Sequence, residues 1–356
     1  HTIYIIAPKF RKKPDLEYKN IHIKRIPGIR SGIYEDFKFT PFLNPLIIKF
    51  IRGQNIDVIH FLTPFTLGWE SVICSKIFKK PLIGTYHTLF SDPQYLKHAR
   101  LQNKGFEKIA WSYAMFFYNF CNVVTVPSHQ TKKALLEHGC KAPIKFISNG
   151  IDTKIFDNTK ATKIKQKYNP DGPILLFVGR IAHEKNINYL LDCFKNLAEK
   201  MPSCKLLIVG DGPQKQEVIK HIDNLNLNEK ALFLGKIPHE ELIKSGIFGA
   251  CDLFVTASRT ENQPMTVLEA QANGIVCIGP HEQGMIDLIH NDYNGYTFDI
   301  NHPEQFTEKA LKILNNDKLY EKLRQNTLRE IKKHSIKNVI NEWEKTYQDL
   351  ITEKQS

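Results

Sequence analysis

Short runs of β-branched and aromatic residues, separated by longer amphipathic stretches, constrain this chain more than any other feature. In the first half the runs are TIYIIAP (2–8), IHIKRIP (21–27), DVIHF (57–61), PLIGTYH (81–87), NVVTVPS (122–128) and PIKFIS (143–148). In the second half they are PILLFVG (173–179), CKLLIVG (204–210), ALFLG (231–235), DLFVTAS (252–258) and IVCIGP (275–280). Runs that are apolar without alternation suit strands buried on both faces. The stretches between them, such as 186–200, 214–228 and 305–334, carry helical spacing. Strand–helix alternation of this kind predicts parallel sheets covered by helices on both sides. The series occurs twice, so the expectation is an α/β protein of two Rossmann-like, doubly wound domains. Residues 1–149 form the first, completed by a C-terminal helix over 335–356, and residues 150–334 form the second, with the boundary in SNGIDTKIF (148–156). A length of 356 residues accommodates both.

The charge is unevenly placed. Residues 1–150 hold 22 Lys and Arg against 9 Asp and Glu, whereas the remainder holds 27 against 28, so the whole excess of +12 lies in the first half. Such a surface attracts phosphates, those of anionic lipid included, or simply aids solubility. In the segment 95–120, Lys97, Arg100, Lys104 and Lys108 mix with Trp111, Tyr113, Phe116, Phe117, Tyr118 and Phe120. It is expected to turn its aromatic end to the core, an anionic bilayer being the other possibility. KFRKK (9–13) is a second basic cluster. The seven cysteines form no CxxC pair and several sit in apolar runs, which suits core residues of a reduced cytosolic protein. No apolar run is long enough to span a membrane, and no signal peptide is visible.

Three groups of residues carry candidate chemistry. Arg180 and Lys185 follow a strand in LLFVGRIAHEKN, where open α/β sheets bind ligands, and two cations there can neutralise a diphosphate. VGDGP (209–213) offers Gly210 and Gly212 in a turn expected to expose backbone N–H groups, although such a loop is often only a turn. In SRTENQPMTVLEAQANG (258–274), Glu261 precedes a helix N-terminus suited to phosphate oxygens, and Glu269 lies about a turn inside that helix. Carboxylates accept hydrogen bonds from sugar hydroxyls, or Glu261 merely caps the helix. In the first half, His87 ends the strand of PLIGTYH, and HFLTPFTLG (60–68) follows the strand before it.

Taken in order, SNGID, VGRIAHEKN, the two glutamates of TENQPMTVLE and the VPS after a strand resemble glycosyltransferase family 4, over nearly the whole chain. The resemblance implies the GT-B architecture, two domains facing each other across a cleft. It implies transfer with retention of configuration, by front-face attack in which the departing phosphate accepts the acceptor's proton. Arg180 and Lys185 would bind the donor diphosphate and Glu269 the ribose. Glu261 and Asn262, with the backbone of Pro264, Met265 and Thr266, would lie against sugar and phosphate, and Gly179, Gly210 and Asp211 near the nucleotide. His87 would face the reacting sugar. No Asp-x-Asp motif is present, so no metal and no cofactor is expected; the two cations would serve instead.

HFLTPFTLG and TYHTLF are similar to a subset of the family, the bacterial diacylglycerol glucosyltransferases and their sulfoquinovosyl relatives. That similarity implies a UDP-sugar donor, with glucose favoured, a membrane lipid acceptor, an anionic membrane surface on the inner face of the cell membrane as partner, and a monomer or weak homodimer. It also implies a first strand, glycine-rich loop and helix ahead of the position that His1 matches. Rival readings are a transferase acting on polysaccharide or lipopolysaccharide, a non-catalytic donor- or lipid-binding subunit, and a sugar-nucleotide epimerase. No recognition-helix motif supports nucleic acid as partner.

Overall fold

The second half of the chain folds as the apolar runs require. A computed structural model describes residues 1–9, 18–30, 38–87 and 104–354. The protein is built as two compact units, His1–Val126 with Lys132–Phe146 and Trp343–Ser356, and Pro127–Thr131 with Ile147–Glu342.

In the second unit, β9 (Ile174–Val178), β10 (Lys205–Val209), β11 (Ala231–Gly235), β12 (Leu253–Val255), β13 (Val276–Pro280) and β14 (Gly295–Phe298) form one sheet in the order β11-β10-β9-β12-β13-β14. Every pairing in it is parallel. Alternate side chains enter opposite cores. Leu175, Phe177, Leu206, Ile208, Leu253, Val255, Val276 and Ile278 pack on one face. Ile174, Leu176, Leu207, Val209, Phe254 and Cys277 pack on the other. Burial on both faces explains why these strands read as unbroken apolar runs. The stretch 305–334 is two helices, Glu304–Leu314 and Asp317–Glu330, because Asn316 caps the second by accepting the Leu319 N–H at 3.0 Å.

The first unit holds two parallel ladders. β1 (Ile3–Pro8) pairs with β2 (Ile21–Ile26). β3 (Ile29–Arg30) and β4 (Lys38–Phe39) make a small antiparallel pair. β5 (Ile59–Phe61), β6 (Leu82–Thr85), β7 (Val123–Val126) and β8 (Ile144–Phe146) follow one another in a four-stranded parallel sheet. Helix Lys104–Tyr118 turns Trp111, Phe117 and Tyr118 into this unit's core, as its aromatic end predicts, while Phe116 remains exposed. Residues 10–13 of the basic cluster and 95–103 of the aromatic segment lie outside the described residues. All seven cysteines are buried free thiols. No described helix is long and apolar enough to cross a membrane.

Helix Ile336–Glu353 ends on the first unit, where His60 receives it. The His60 Nδ1 lies 2.9 Å from the Tyr347 hydroxyl and Nε2 lies 2.6 Å from Thr85 Oγ1, with the Trp343 ring 5.0 Å away. Burial, and secondarily the neighbouring His87, pushes the imidazole from 6.5 down to about 4. The unfolded chain therefore binds this proton more readily than the folded one. Stability is full above about pH 6.5 and falls as the pH drops toward 4, by at most about 3 kcal/mol from this group. Melting curves between pH 7 and 4 should show a shallower acid loss for His60→Gln than for the wild type; parallel losses would remove His60 from the account.

Candidate active site

With β9 as the first strand of its unit, the order is 3-2-1-4-5-6, and the direction of winding reverses between β9 and β12. A crevice outside the carboxyl ends of the strands at that point is where such sheets bind ligands. The loops leaving these two strands carry Lys185 and Glu261. They meet there, the Lys185 Nζ donating to Glu261 Oε1 although 76 positions separate them. The ion pair is largely shielded, with side-chain exposures of 22% and 16%. Ser258, three residues beyond β12, donates to the same carboxylate oxygen at 3.0 Å and lies 3.0 Å from the Glu184 carbonyl. A cation and a carboxylate thus stand together at the switch point, each able to exchange its partner for a ligand.

The Glu261 loop is braced on its other side. Arg259 sets its guanidinium against both oxygens of Glu282, at 3.1 and 3.0 Å from Nε. The Gly284 N–H donates to the Glu261 carbonyl at 2.9 Å. The helix Met265–Ala272 follows, with Pro264 at its N-cap and no side chain capping its first turn. Such an end presents backbone N–H groups and the positive pole of the helix to an anion. Met265 is 39% exposed there, whereas Val267 and Leu268 are buried.

Glu269, in the second turn, is 6% exposed. Burial raises its carboxyl above the usual range, opposed by the hydrogen bond and charge of His239, whose Nε2 lies 2.9 Å from Oε1. A desolvated carboxylate held by one imidazole is a strong acceptor for a pair of hydroxyls.

Gly179 and Arg180 leave β9, and Arg180 is exposed. Their loop is zipped to Gly210–Gly212. Gly179 N–H donates to Val209 O at 3.0 Å, Ile181 N–H to Asp211 O at 3.0 Å and Gln214 N–H to Ile181 O at 3.0 Å. The N–H groups of the two glycines of VGDGP, expected to be exposed, are already engaged. The Gly210 N–H donates to Gly235 O at 2.9 Å, and that of Gly212 to the Asp211 carboxylate at 3.0 Å. Gly210 takes a positive φ of 157°, and both glycines serve close approach of two backbones. A Cβ on Gly210 would sit 1.9 Å from Gly179 O, and one on Gly212 would sit 2.3 Å from Ile181 O.

Asn262 is 8% exposed, and its carboxamide oxygen accepts from the Thr131 hydroxyl, so this side chain holds the loop from within. Thr266 is partly exposed at the helix start. His87 belongs to the first unit, just beyond the end of β6, and is exposed. Ser258, Arg259, His239 and Glu282 join the site without having been singled out in the sequence; only the position of Ser258 just beyond a strand hints at its part.

Two parallel α/β units, the second with a cation, a carboxylate and an open helix N-terminus at its switch point, are the arrangement of a glycosyltransferase of the GT-B class. The comparisons agree. Residues 158–330 match the family "Glycosyl transferases group 1", and residues 1–155 match "Glycosyltransferase Family 4". The chain belongs to these glycosyltransferases. It is 29% identical to a GDP-mannose-dependent alpha-mannosyltransferase of Corynebacterium glutamicum, over 84% of this chain and 69% of that protein. It is 26% identical to the alpha-monoglucosyldiacylglycerol synthase of Acholeplasma laidlawii, over 99% of this chain and 89% of that one. The crystal structure of HepE from Anabaena in complex with UDP superposes with a TM-score of 0.76 at 18% identity, covering 93% of this chain and 87% of the other.

Proposed function

We propose that this glycosyltransferase moves a hexose, glucose in the favoured case, from a UDP-sugar to a membrane lipid such as diacylglycerol, with retention and without a metal. The pairing of Lys185 with Glu261 at the β9–β12 switch point carries the reading. A diphosphate entering there draws the ammonium toward itself, and Arg180 adds a second cation. The carboxylate so released accepts hydroxyls of the transferred sugar, and Glu269 accepts those of the ribose. Charge that builds on the departing diphosphate is met by Lys185, Arg180 and the open turn at Pro264–Thr266. The departing phosphate oxygen takes the proton of the attacking lipid hydroxyl, so no nucleophile on the protein is required.

The lipid acceptor rests on two supports. One is the glycolipid named in the Acholeplasma relative. The other is the first unit's surface: the excess of Lys and Arg in residues 1–150, and Phe42, Leu43 and Leu46, each more than half exposed, at the start of a helix whose last turn carries Lys49 and Arg52. Apolar and basic groups side by side suit the cytoplasmic face of an anionic bilayer.

The test is nucleoside diphosphate release from UDP-glucose, and separately from GDP-mannose, with and without diacylglycerol in anionic micelles. Release from UDP-glucose that requires the lipid supports the proposal. Release from GDP-mannose alone transfers the reading to a mannosyl donor, as in the Corynebacterium relative, and equal release without lipid removes the acceptor.

A further inference from the structure

The chain enters the second unit at Ile147 and leaves it after Glu342. Near these crossings the two strands of chain are zipped together, Ile151 N–H to His334 O at 2.9 Å and Ile336 N–H to Ile151 O at 3.0 Å. Ser148, immediately upstream, is buried with its hydroxyl 2.6 Å from His334 Nδ1. Onto this knot comes one side chain from the glutamate loop. Gln263, 6% exposed, donates from Nε2 to Ser148 Oγ at 2.9 Å and accepts the Asn149 N–H at Oε1 at 2.6 Å. Its neighbour Asn262 is held in the same way by Thr131, whose N–H is capped by Ser128 Oγ at 3.0 Å. Thr131 lies in Pro127–Thr131, a piece of the second unit flanked on both sides by chain of the first. Both residues after Glu261 are thus anchored, inside the second unit, to segments adjoining its covalent links.

A buried carboxamide engaged at both its oxygen and its nitrogen serves the loop that carries it. It sets where the loop stands. We infer that Gln263 is a positioning residue: through Ser148 and Asn149 it fixes the peptide of Glu261 and the first turn of helix Met265–Ala272 in the geometry that the transferred sugar needs. This rests on the reading of Glu261 as the sugar-binding carboxylate. Lys185, Arg180 and Glu269, which hold the nucleotide in that reading, are not members of the strut, so its loss costs turnover far more than nucleotide affinity, to which the turn at Pro264–Thr266 adds only a part.

Gln263→Ala and Ser148→Ala are compared, alone and together, with the wild type. Hydrogen exchange of peptides spanning Glu261–Thr266 is read first, since it needs no turnover; it should rise at least ~10-fold in either single variant, with the rest of the second unit unchanged. kcat for donor turnover should fall ~10–100-fold while the UDP dissociation constant stays within about twofold. The double variant should be no worse than the worse single one. Unchanged exchange in the loop, or equal losses of kcat and UDP affinity, or additive losses in the double variant, would overturn the inference. Absence of turnover in the wild type would count against the glycosyl-transfer reading alone, because the exchange result stands without it.

Discussion

Lys185→Ala should lower turnover at least ~100-fold, the scale on which enzymes lose rate when a positioned group that stabilises developing charge is removed. Two effects combine. In the proposed reaction the departing diphosphate loses a cation that stands at the switch point, and Glu261 loses its counter-ion in a setting where its side chain is only 16% exposed. Ser258 Oγ, at 3.0 Å, is then the neutral donor left beside it. The carboxylate becomes a poorer and less well-placed acceptor just where the sugar must sit. Lys185→Arg should restore only part of the rate, because a planar fork does not reproduce the point charge of an ammonium. Steady-state kinetics on the three proteins checks this, and near wild-type turnover in the alanine variant would remove the diphosphate role.

Gly284→Ala should be strongly damaging, because the methyl group meets the backbone of the glutamate loop. Its φ of −66° is ordinary, so no backbone strain is involved. The added Cβ would lie 1.8 Å from Asn262 O and 2.9 Å from Glu261 O, both backbone atoms. The glutamate loop must therefore move by about an ångström or more, and the hydrogen bond from Gly284 to Glu261 goes with it. A displacement of that size at the reacting centre costs ~100-fold in kcat, and overpacking costs about 1–3 kcal/mol of stability. Gly53→Ala is the matched control. Its Cβ would meet only ordinary contacts, at 3.6 Å and beyond, so both activity and melting temperature should hold. Equal behaviour of the two variants would contradict the packing argument.

The second unit was largely legible in the sequence, because strands buried on both faces leave unbroken apolar runs. β14 escaped: Gly-Tyr-Thr-Phe is four residues with no aliphatic run to mark it. The strand order was not legible at all, since it depends on which crossovers pass the first strand. With it went the convergence of Lys185 and Glu261, two ordinary charged residues until β9 and β12 become neighbours. The glycines of VGDGP were read for a tight turn, which the φ of 157° at Gly210 bears out; close approach of Gly179 and Ile181, which demands both, was not legible. Asn262 and Gln263 fall in a polar loop whose composition says nothing of burial. Thr131, Ser148 and Asn149, more than a hundred positions away, decide that both point inward.

The measurement that bears most directly on the site is calorimetric titration of UDP into the wild type, Lys185→Ala and Glu269→Ala. Saturable binding at one site, weakened at least ~10-fold in each variant, is the predicted result. UDP affinity unchanged in both variants would place the nucleotide elsewhere and contradict the account.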